Sequence, residues 1–236
     1  MKAFVITLTD NDLSKKAAAV CMQSSMDVGN EFSIKSFKAF GPNEVEEVIK
    51  SMDLMIKWNW PWEGEVIDFV TGLKKTAYRT KNPLARIGCS LSHLELWTRC
   101  SMGHEAYLIL EHDAFFTKKL NYKDLILHDK SYDIIGINDP RGATRKSGLF
   151  HSLVQSGKSD IVNVPHIDDS NIPQGLAGNS AYILKPNGAK NLVKAVMQYG
   201  LWPNDAIMCR QLIPRMGVTK TYYTAVQKLE RSTTAD

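Results

Sequence analysis

Residues 106–113 read Ala-Tyr-Leu-Ile-Leu-Glu-His-Asp, an unbroken apolar run that ends directly in two acids and a histidine. Gly103 precedes the run and ends a helical pattern. A short apolar run of this kind predicts a strand that is buried on both faces, as in parallel sheets covered by helices. The segment therefore predicts the central strand of an α/β fold.

Segments on both sides of this strand continue an alternation of helices and strands. Residues 87–100 carry two adjacent apolar stripes at helical spacing, and residues 133–137 form another apolar strand. Further strands are predicted at residues 4–8, 31–40, 53–56, 181–184 and 218–223, and further helices after Ser14, Pro42, Pro186 and Pro203. The alternation implies a mostly parallel central sheet flanked by helices, in a single domain that spans residues 1–236.

The stretch from residue 139 to residue 178 shows no sustained period. Small local elements are expected only at residues 149–150 and 161–162. Segments of this length without regular structure are usually functional loops, or they contain elements that the pattern fails to indicate. Because ligands of such sheets bind outside the carboxyl ends of the strands, the loops at that edge are the expected place for a site.

The composition is that of an ordinary globular protein. The 236 residues are 44% hydrophobic and 23% charged, which excludes disordered, collagen-like and disulfide-stapled proteins. Lys and Arg number 29 against 25 Asp and Glu, for a formal net charge of +4. This mild excess suits an anionic partner such as a nucleotide phosphate, but it does not identify one.

The sequence predicts a cytoplasmic protein. No stretch reaches the roughly 18 apolar residues that a membrane helix needs, and residues 1–12 lack the cleavage site of a signal peptide. The 4 cysteines include no C-x-x-C pair, which indicates reduced thiols. Cys89, His93 and Cys100 share one predicted helix and cannot close a zinc tetrahedron, so we expect His93 to be a hydrogen-bonded core residue.

Glu111, His112 and Asp113 follow the predicted central strand directly. Because side chains alternate along a strand, Glu111 and Asp113 are expected to point to one side and His112 to the other. Two carboxylates on one side repel each other unless a cation lies between them. Oxygen ligands favour Mg²⁺ or Mn²⁺, which typically bridges to substrate phosphates. A pair of solvated acids is the alternative interpretation.

The predicted helix contains Ile87-Gly-Cys-Ser-Leu-Ser-His-Leu-Glu-Leu-Trp97, and the strand after it ends in Leu110-Glu-His-Asp-Ala114. Together these motifs resemble glycosyltransferase family 25, which includes lipooligosaccharide galactosyltransferases and collagen galactosyltransferase domains. The usual pattern of that family is Ile-Gly-Cys-x-x-Ser-His-x-x-x-Trp, followed by Leu-Glu-Asp-Asp-Ala. Weaker similarities occur at residues 133–136, 181–190 and 202–205.

The resemblance implies a GT-A-like fold and an inverting glycosyltransferase with a nucleotide-diphosphate donor such as a UDP-sugar. It implies that the acidic triplet holds Mn²⁺ or Mg²⁺ against the donor diphosphate. The implied acceptor is a hydroxyl of a cell-envelope glycan such as lipooligosaccharide. His112 stands where the family has Asp; if the last two residues of the triplet bind the metal, His112 must supply an imidazole nitrogen, which favours Mn²⁺.

An acceptor hydroxyl that attacks a sugar needs a general base. The resemblance places Asp205, after Pro203, at the late acidic position of the family and makes it the first candidate. On the residues alone, a carboxylate stabilised by a helix N-terminus is the simpler interpretation. Asp139, just past the strand that begins at residue 133, is the second candidate and could equally cap the turn at Pro140.

Donor-binding residues are predicted at the same edge of the sheet. The resemblance places the nucleotide base at the end of the first strand and the donor sugar before residue 181. It places a phosphate near the start of the predicted helix over residues 87–100, the signature helix. The predicted donor-binding residues are Thr7, Leu8, Thr9, Arg86, Glu111, Asn179 and Ser180. Ordinary surface and turn roles are the alternative for Arg86, Asn179 and Ser180.

The sequence leaves three alternatives to a glycan-modifying enzyme. Basic residues crowd residues 74–86 and 141–146, and a DNA acceptor with a hydroxymethylated base, as in phage DNA glucosylation, would need such charge. An acidic glycan, or an anionic membrane contacted peripherally, would use the same residues. A catalytically inactive domain that binds sugar nucleotides is the non-enzyme alternative, supported by His112. A dehydrogenase is disfavoured because no G-x-G-x-x-G follows the first strand.

Overall fold

The computed structural model describes residues 1–51, 56–127, 131–142 and 146–229. Within them the helices are α1 (Asp12–Asp27), α2 (Val45–Ser51), α3 (Pro83–Ser101), α4 (Tyr122–Leu127), α5 (Ser147–Ser156), α6 (Pro186–Tyr199) and α7 (Asn204–Ile207). The strands are β1 (Lys2–Thr7), β2 (Ile34–Lys38), β3 (Glu65–Ile67), β4 (Lys74–Thr76), β5 (Tyr107–Glu111), β6 (Ala114–Phe116), β7 (Ile134–Gly136), β8 (Ile161–Asn163), β9 (Ala181–Leu184), β10 (Met216–Thr219) and β11 (Thr224–Val226). The strand predicted over residues 53–56 lies outside the described residues except for Ile56.

A seven-stranded sheet in the order β2-β1-β5-β9-β7-β10-β8 forms the centre of the fold. The strands β2, β1, β5, β7 and β10 run in one direction, whereas β9 and β8 run in the other. The predicted α/β class with a mostly parallel sheet flanked by helices is thus confirmed. The predicted strand at residues 181–184 is present as β9, but it is inserted antiparallel between β5 and β7.

The central strand β5 is buried on both of its faces. Leu108 and Leu110 pack into one hydrophobic cluster, and Tyr107 and Ile109 pack into the other. Leu108, Ile109 and Leu110 are each 0% exposed. Burial of one aliphatic side chain of this size contributes about 1.5–3 kcal/mol. Alternation between two apolar clusters explains why a run without polar residues forms this strand.

The signature helix α3 begins earlier than predicted, because Asn82 caps it and Pro83 fills its first position. Gly88 allows this helix to approach the loop after β2: a Cβ at that position would lie 2.4 Å from the Phe40 carbonyl oxygen. The Phe40 N–H donates to the Ser92 hydroxyl at 2.9 Å. These contacts fix the first half of α3 against that loop.

The stretch between residues 139 and 178 holds more regular structure than predicted. Helix α5 buries Phe150 and Val154 and leaves Leu149 and Leu153 exposed. Strand β8 pairs antiparallel with β10 at the edge of the sheet. The two small elements expected here are therefore a helix of 10 residues and an edge strand.

The C-terminal part of the described chain returns to the acidic triplet. Of the strand predicted at residues 218–223, only residues 218 and 219 belong to a strand, β10, and the next strand, β11, begins at Thr224. Strand β11 pairs antiparallel with β6, which begins directly after Asp113. The N–H of Gln227 then donates to the Asp113 carbonyl at 2.7 Å. Backbone contacts thus tie the end of the described chain to the turn that carries the acids.

Candidate functional site

A cavity of about 890 Å³ lies at the carboxyl ends of β1 and β5. Its wall is formed by the loops after β1 and β2, the first half of α3, the turn after β5 and the start of α7. Most of the predicted site residues line it, namely Leu8, Thr9, Arg86, Glu111, His112, Asp113, Asn179 and Asp205. The predicted residues therefore meet at the sheet edge where ligands of α/β proteins bind.

Thr7 and Ser180 are buried residues that support the sheet beside this cavity and do not form its wall. The Thr7 hydroxyl donates to the Val5 carbonyl and accepts from the Ser36 hydroxyl, both at 3.2 Å. The Ser180 carbonyl accepts the Glu111 N–H at 2.8 Å. The structure thus places Thr7 between β1 and β2, and Ser180 at the end of β5.

Asp139 is not among the residues that line the cavity, although Gly142, three positions later, is. Its carboxylate accepts from the Arg141 guanidinium at 2.6 and 3.0 Å and from the Arg141 N–H at 2.9 Å. Hydrogen bonding to Arg141 holds the pKa of Asp139 below its ordinary value. A carboxylate held in this way is a weak base, and Asp139 is not part of the cavity wall that holds most of the other predicted site residues.

The acidic triplet is split between a strand and a turn. Strand β5 ends at Glu111, and His112 and Asp113 form the turn before β6. All three residues line the cavity. The expectation that His112 faces away assumed regular strand geometry up to Asp113, and strand alternation does not continue beyond Glu111.

Burial and mutual repulsion set the charges of the triplet. The pKa of Asp113 is raised to about 7, chiefly by burial and then by the negative charge of Glu111. Burial would also raise the pKa of Glu111, but His93, His112 and Asn204 beside it outweigh burial and lower it. Burial lowers the pKa of His112 against the opposing effect of Glu111. Glu111 is therefore the more acidic of the two carboxyls.

Residues of α3 and β9 lie behind Glu111. His93 Nε2 is 3.4 Å from Glu111 Oε1, within ion-pair range but without hydrogen-bond alignment. His93 Nδ1 lies 2.8 Å from the Tyr182 hydroxyl, to which Trp97 Nε1 also donates at 2.8 Å. The expectation that His93 is buried and hydrogen-bonded is met on the Nδ1 side. Its second nitrogen faces the site, which the sequence pattern of α3 did not indicate.

Cys89 and Asn204 are further lining residues that the sequence did not predict as site residues. The Cys89 thiol donates to Asn204 Oδ1 at 3.7 Å, and burial raises the pKa of this thiol. Cys89, His93 and Glu111 offer ligand atoms that all lie within 4.8 Å of one another. Cys100 belongs to a different environment, since its thiol contacts the backbone carbonyls of Glu105 and Leu184, at 3.7 and 3.5 Å.

Asp205 and Arg86 form another part of the wall. Asp205 stands in the first turn of α7, and burial raises its pKa against the opposing charge of Arg86. The Arg86 guanidinium lies 5.1 Å from the centre of the Tyr78 ring, a cation–π contact. An acid with a raised pKa is a stronger base than an ordinary carboxylate, which suits proton abstraction.

Buried polar atoms without a hydrogen-bond partner are concentrated at this cavity. Within the described residues, such side-chain atoms belong to Trp58 and to five residues of the cavity wall: Arg86, His93, Asp113, Asn179 and Asp205. A buried polar group without a partner costs about 1–3 kcal/mol. The five groups combine a cation, two acids, an imidazole and an amide, which together fit a polar, anionic ligand and its counter-cation.

The carboxylates at the acidic turn fit a hard divalent cation. Asp113 Oδ1 is buried and lacks a hydrogen-bond partner among the described residues, and Glu111 lines the same cavity. Carboxylate oxygens are the ligands that Mg²⁺ and Mn²⁺ prefer. The carboxylate oxygens of this turn are therefore suitable ligands for the kind of cation that the sequence analysis expects.

The first basic stretch does not form one exposed surface. Lys74 pairs with Glu65 at 2.8 Å, and Lys75 is buried in an ion pair with Asp68. Arg86 belongs to the cavity wall. A DNA backbone needs exposed cations side by side along its path, and in this stretch Arg79 and Lys81 are exposed whereas Lys75 is buried.

The second basic stretch is also engaged in ion pairs. Arg141 pairs with Asp139 at 2.6 Å, and Lys146 pairs with Asp168 at 2.5 Å. Arg145 lies outside the described residues. Among the described basic residues that suggested a DNA acceptor, Lys74, Lys75, Arg141 and Lys146 are thus engaged in ion pairs. Among the described residues, no helix has the length and apolar character required to cross a membrane.

Comparison with known proteins identifies a family. The model of glycosyltransferase family 25 (LPS biosynthesis protein) matches residues 1–208, a range that includes every predicted site residue. No sequence among the curated proteins matches the chain.

Several solved structures are similar to the chain. The galactosyltransferase LgtC, in complex with donor and acceptor sugar analogues, has a TM-score of 0.49 at 11% identity, covering 98% of this chain and 88% of LgtC. The bifunctional glycosyltransferase WbbM, in its apo form, has a TM-score of 0.44 at 7% identity, and the match covers 92% of this chain and 38% of WbbM. Apo mouse xyloside xylosyltransferase 1 has a TM-score of 0.42 at 8% identity, and the match covers 91% of this chain and 83% of the xylosyltransferase.

Proposed function

The chain belongs to glycosyltransferase family 25, and we propose that it transfers a sugar from a UDP-sugar or related nucleotide-diphosphate donor to a hydroxyl of a cell-envelope glycan such as lipooligosaccharide. The description of the family as LPS biosynthesis proteins supports the glycan class. The observation that carries the proposal is the convergence of buried, unpartnered polar side chains on one cavity. A sugar diphosphate would satisfy those groups together.

The donor is proposed to lie across the carboxyl ends of β1 and β5. Leu8 and Thr9 line the cavity at the end of β1, where the nucleotide base would bind. Arg86 supplies a guanidinium for phosphate oxygens, a geometry in which arginine is favoured. The side-chain amide of Asn179 is buried with both polar atoms unpartnered among the described residues, so it can bind sugar hydroxyls as donor and acceptor.

Glu111 and Asp113 would hold Mn²⁺ or Mg²⁺, with His112 as a third candidate ligand. When bound there, the cation would neutralise the charge that grows on the leaving diphosphate. The repulsion from Glu111 that raises the pKa of Asp113 is what a divalent cation would relieve. This proposed arrangement makes Asp113 the acid on which donor binding depends most.

Asp205 is proposed as the general base. Its Oδ1 is buried, unpartnered among the described residues, and part of the cavity wall. It would take the proton of the acceptor hydroxyl as the acceptor oxygen bonds to the anomeric carbon and the bond from that carbon to the diphosphate oxygen breaks. The nucleoside diphosphate then leaves, and this single displacement inverts the configuration of the sugar.

A screen of nucleotide sugars for hydrolysis, with and without Mn²⁺, tests this function. We expect one UDP-sugar to be hydrolysed faster than the others, and only when the divalent cation is present. Cation-independent UDP binding without hydrolysis of any donor would instead support an inactive sugar-nucleotide-binding domain. Turnover on DNA with hydroxymethylated bases, with binding that falls steeply as salt rises, would overturn the glycan acceptor.

A further inference from the structure

Three buried side chains form a chain of polar contacts behind the cavity. Trp97 Nε1 donates to the Tyr182 hydroxyl oxygen at 2.8 Å, and the same hydroxyl lies 2.8 Å from His93 Nδ1. Tyr182 and His93 are 0% exposed and Trp97 is 1% exposed, so bulk water does not reach these atoms. Their hydrogen bonds must therefore be satisfied among themselves.

The chemistry of these groups gives the chain a direction. An indole N–H can only donate, so the Tyr182 oxygen accepts from Trp97. The Tyr182 hydroxyl has one proton, and His93 Nδ1 is the acceptor that the described residues place within its reach. The hydroxyl therefore donates to Nδ1, and a neutral His93 must carry its own proton on Nε2.

This proton points at the candidate site. His93 Nε2 faces Glu111 Oε1 at 3.4 Å and has no hydrogen-bond partner among the described residues. In the opposite tautomer, the Nε2 lone pair would face a carboxylate oxygen, and the Tyr182 proton would have no described acceptor. Both consequences favour the Nε2–H tautomer, which needs only a small adjustment of Glu111 to complete a hydrogen bond.

We propose that His93 is a positioning residue for Glu111, and that Tyr182 and Trp97 fix its tautomer. His93 holds Oε1 from the buried side, so that the other carboxylate oxygen remains for the cavity; the Glu111 side chain is 30% exposed and that of His93 only 1%. The assignment of Glu111 to a cation rests on the proposed function. The tautomer itself follows from the buried contacts alone.

The electrostatics of Glu111 agree with this role. Burial alone would raise the pKa of Glu111, and the contact with His93 is the largest of the effects that lower it. The alternative is a soft-metal site formed by Cys89, His93 and Glu111, whose ligand atoms lie within 4.8 Å of one another. Such a site needs an unprotonated Nε2, and the direction of the Trp97–Tyr182 bonds argues against it.

Nitrogen-15 NMR of the full chain, without divalent cations, reads the tautomer directly. We expect the two ring nitrogens of His93, assigned by comparison with a His93→Gln variant, to show a proton on Nε2 and none on Nδ1. A proton on Nδ1, or loss of the Nε2 proton on addition of Zn²⁺ alone, would overturn the proposal. This measurement requires neither donor binding nor turnover, so it decides the tautomer even if the proposed function fails.

Two substitutions of similar size test whether the Nε2–H matters for the site. The side-chain amide of glutamine can replace the donor at Nε2, whereas that of asparagine lies closer to the position of Nδ1. We expect His93→Gln to keep the Mn²⁺-dependent UDP affinity close to that of the wild type and His93→Asn to weaken it by about 10–100-fold, the usual effect of losing a partner that orients a metal ligand. Equal affinities for the two folded variants would contradict a positioning role.

Tyr182→Phe provides an independent check that leaves His93 in place. This change keeps the ring and removes the hydroxyl that fixes the tautomer. We expect a mixture of both tautomers by NMR and a weaker Mn²⁺-dependent UDP affinity, again by about 10-fold or more. An unchanged Nε2–H signal with unchanged affinity would show that Tyr182 does not set the orientation of His93. If a variant fails to fold, the tautomer of the wild-type protein still decides the proposal.

Discussion

The side-chain amide of Gln227 donates to the backbone carbonyl of His112 at 3.2 Å. The same amide donates to the carbonyls of Ala17 and Ala114, at 2.9 and 3.0 Å, and the Gln227 N–H donates to the Asp113 carbonyl at 2.7 Å. One residue near the end of the described chain thus fixes the backbone of the turn that presents the acids.

Gln227→Ala should loosen the acidic turn. We expect the free energy of unfolding to fall by about 1–3 kcal/mol, because buried carbonyls lose their donor, and Mn²⁺-dependent UDP binding to weaken. Urea denaturation and calorimetric titration measure the two effects. Gln155→Ala is the matched control, since its amide donates to the Lys220 carbonyl at 2.8 Å outside the cavity wall. Equal losses of UDP affinity in both variants would argue against a local role of Gln227.

Gly88→Ala should disturb the contact between α3 and the loop at Phe40. The added Cβ would lie 2.4 Å from the Phe40 carbonyl oxygen, so helix or loop must shift, at a cost of about 1–3 kcal/mol in unfolding free energy. Gly148→Ala in α5 is the control: nothing lies within 4 Å of its added Cβ, and we expect up to about 1 kcal/mol of stabilisation. Thermal denaturation of both variants checks the opposite signs, and a neutral Gly88→Ala would refute the close approach.

Asp205→Asn should remove turnover and leave donor binding intact. Loss of a general base lowers kcat by about 10²–10⁴-fold, whereas UDP affinity should stay close to that of the wild type. Asp139→Asn is the comparison, and it should retain turnover because Asp139 is held by Arg141 and is not part of the cavity wall. Steady-state kinetics with the hydrolysed donor separate the two. A fully active Asp205→Asn enzyme would eliminate Asp205 as the base, and an inactive Asp139→Asn enzyme beside it would assign that role to Asp139.

Stability without divalent cations should depend on the protonation of Asp113. Its pKa is raised from 3.8 to about 7 by burial and by Glu111, so the folded state holds this proton more tightly than the unfolded state. The stabilisation that the Asp113 proton provides is complete below the pKa of Asp113 in the unfolded chain. It is lost as pH rises through about 7, the pKa in the folded state, by at most about 1.4 kcal/mol per pH unit. We expect Asp113→Asn to gain stability relative to the wild type between about pH 5 and about pH 8.

Urea denaturation at the two pH values measures this difference for Asp113→Asn. Asp27→Asn serves as the control, since Asp27 is an exposed acid whose side chain accepts from Gln23 at 2.7 Å. We expect no such gain for that variant. A stability difference between wild type and Asp113→Asn that stays constant with pH would mean that Asp113 titrates in its ordinary range.

Local pattern was sufficient where a buried apolar period is continuous. The strand at residues 107–111 and the part of α3 over residues 87–100 were predictable for this reason, whereas the exposed first turn of α3 was not predicted. Helix α5 was missed, because its apolar side chains occupy only a short helix that starts after Lys146 in a left-handed conformation, with φ of 49°. The antiparallel position of β9 between β5 and β7 depends on the order of strands in the sheet, which the hydrophobic pattern of a single segment does not indicate.

The residues of the candidate site were predictable only where they belong to the family motifs. The meeting of Arg86, Asp113 and Asp205 at one cavity agrees with the motif-based prediction, because the carboxyl ends of the strands share one edge. The face of His112 could not be predicted by strand alternation, because the strand ends at Glu111. The approach of Gln227 to the acidic turn arises from packing between segments far apart in the chain, so neither spacing nor composition could indicate it.

The account depends most on the acids of the turn binding the donor diphosphate through a divalent cation. Calorimetric titration of UDP into the wild-type protein and into Asp113→Asn, each with Mn²⁺ and with a chelator, tests this directly. We predict that the wild type binds UDP only when Mn²⁺ is present and that Asp113→Asn loses this dependence together with most of the affinity. Equal UDP affinity of the wild type in Mn²⁺ and in the chelator would contradict the account.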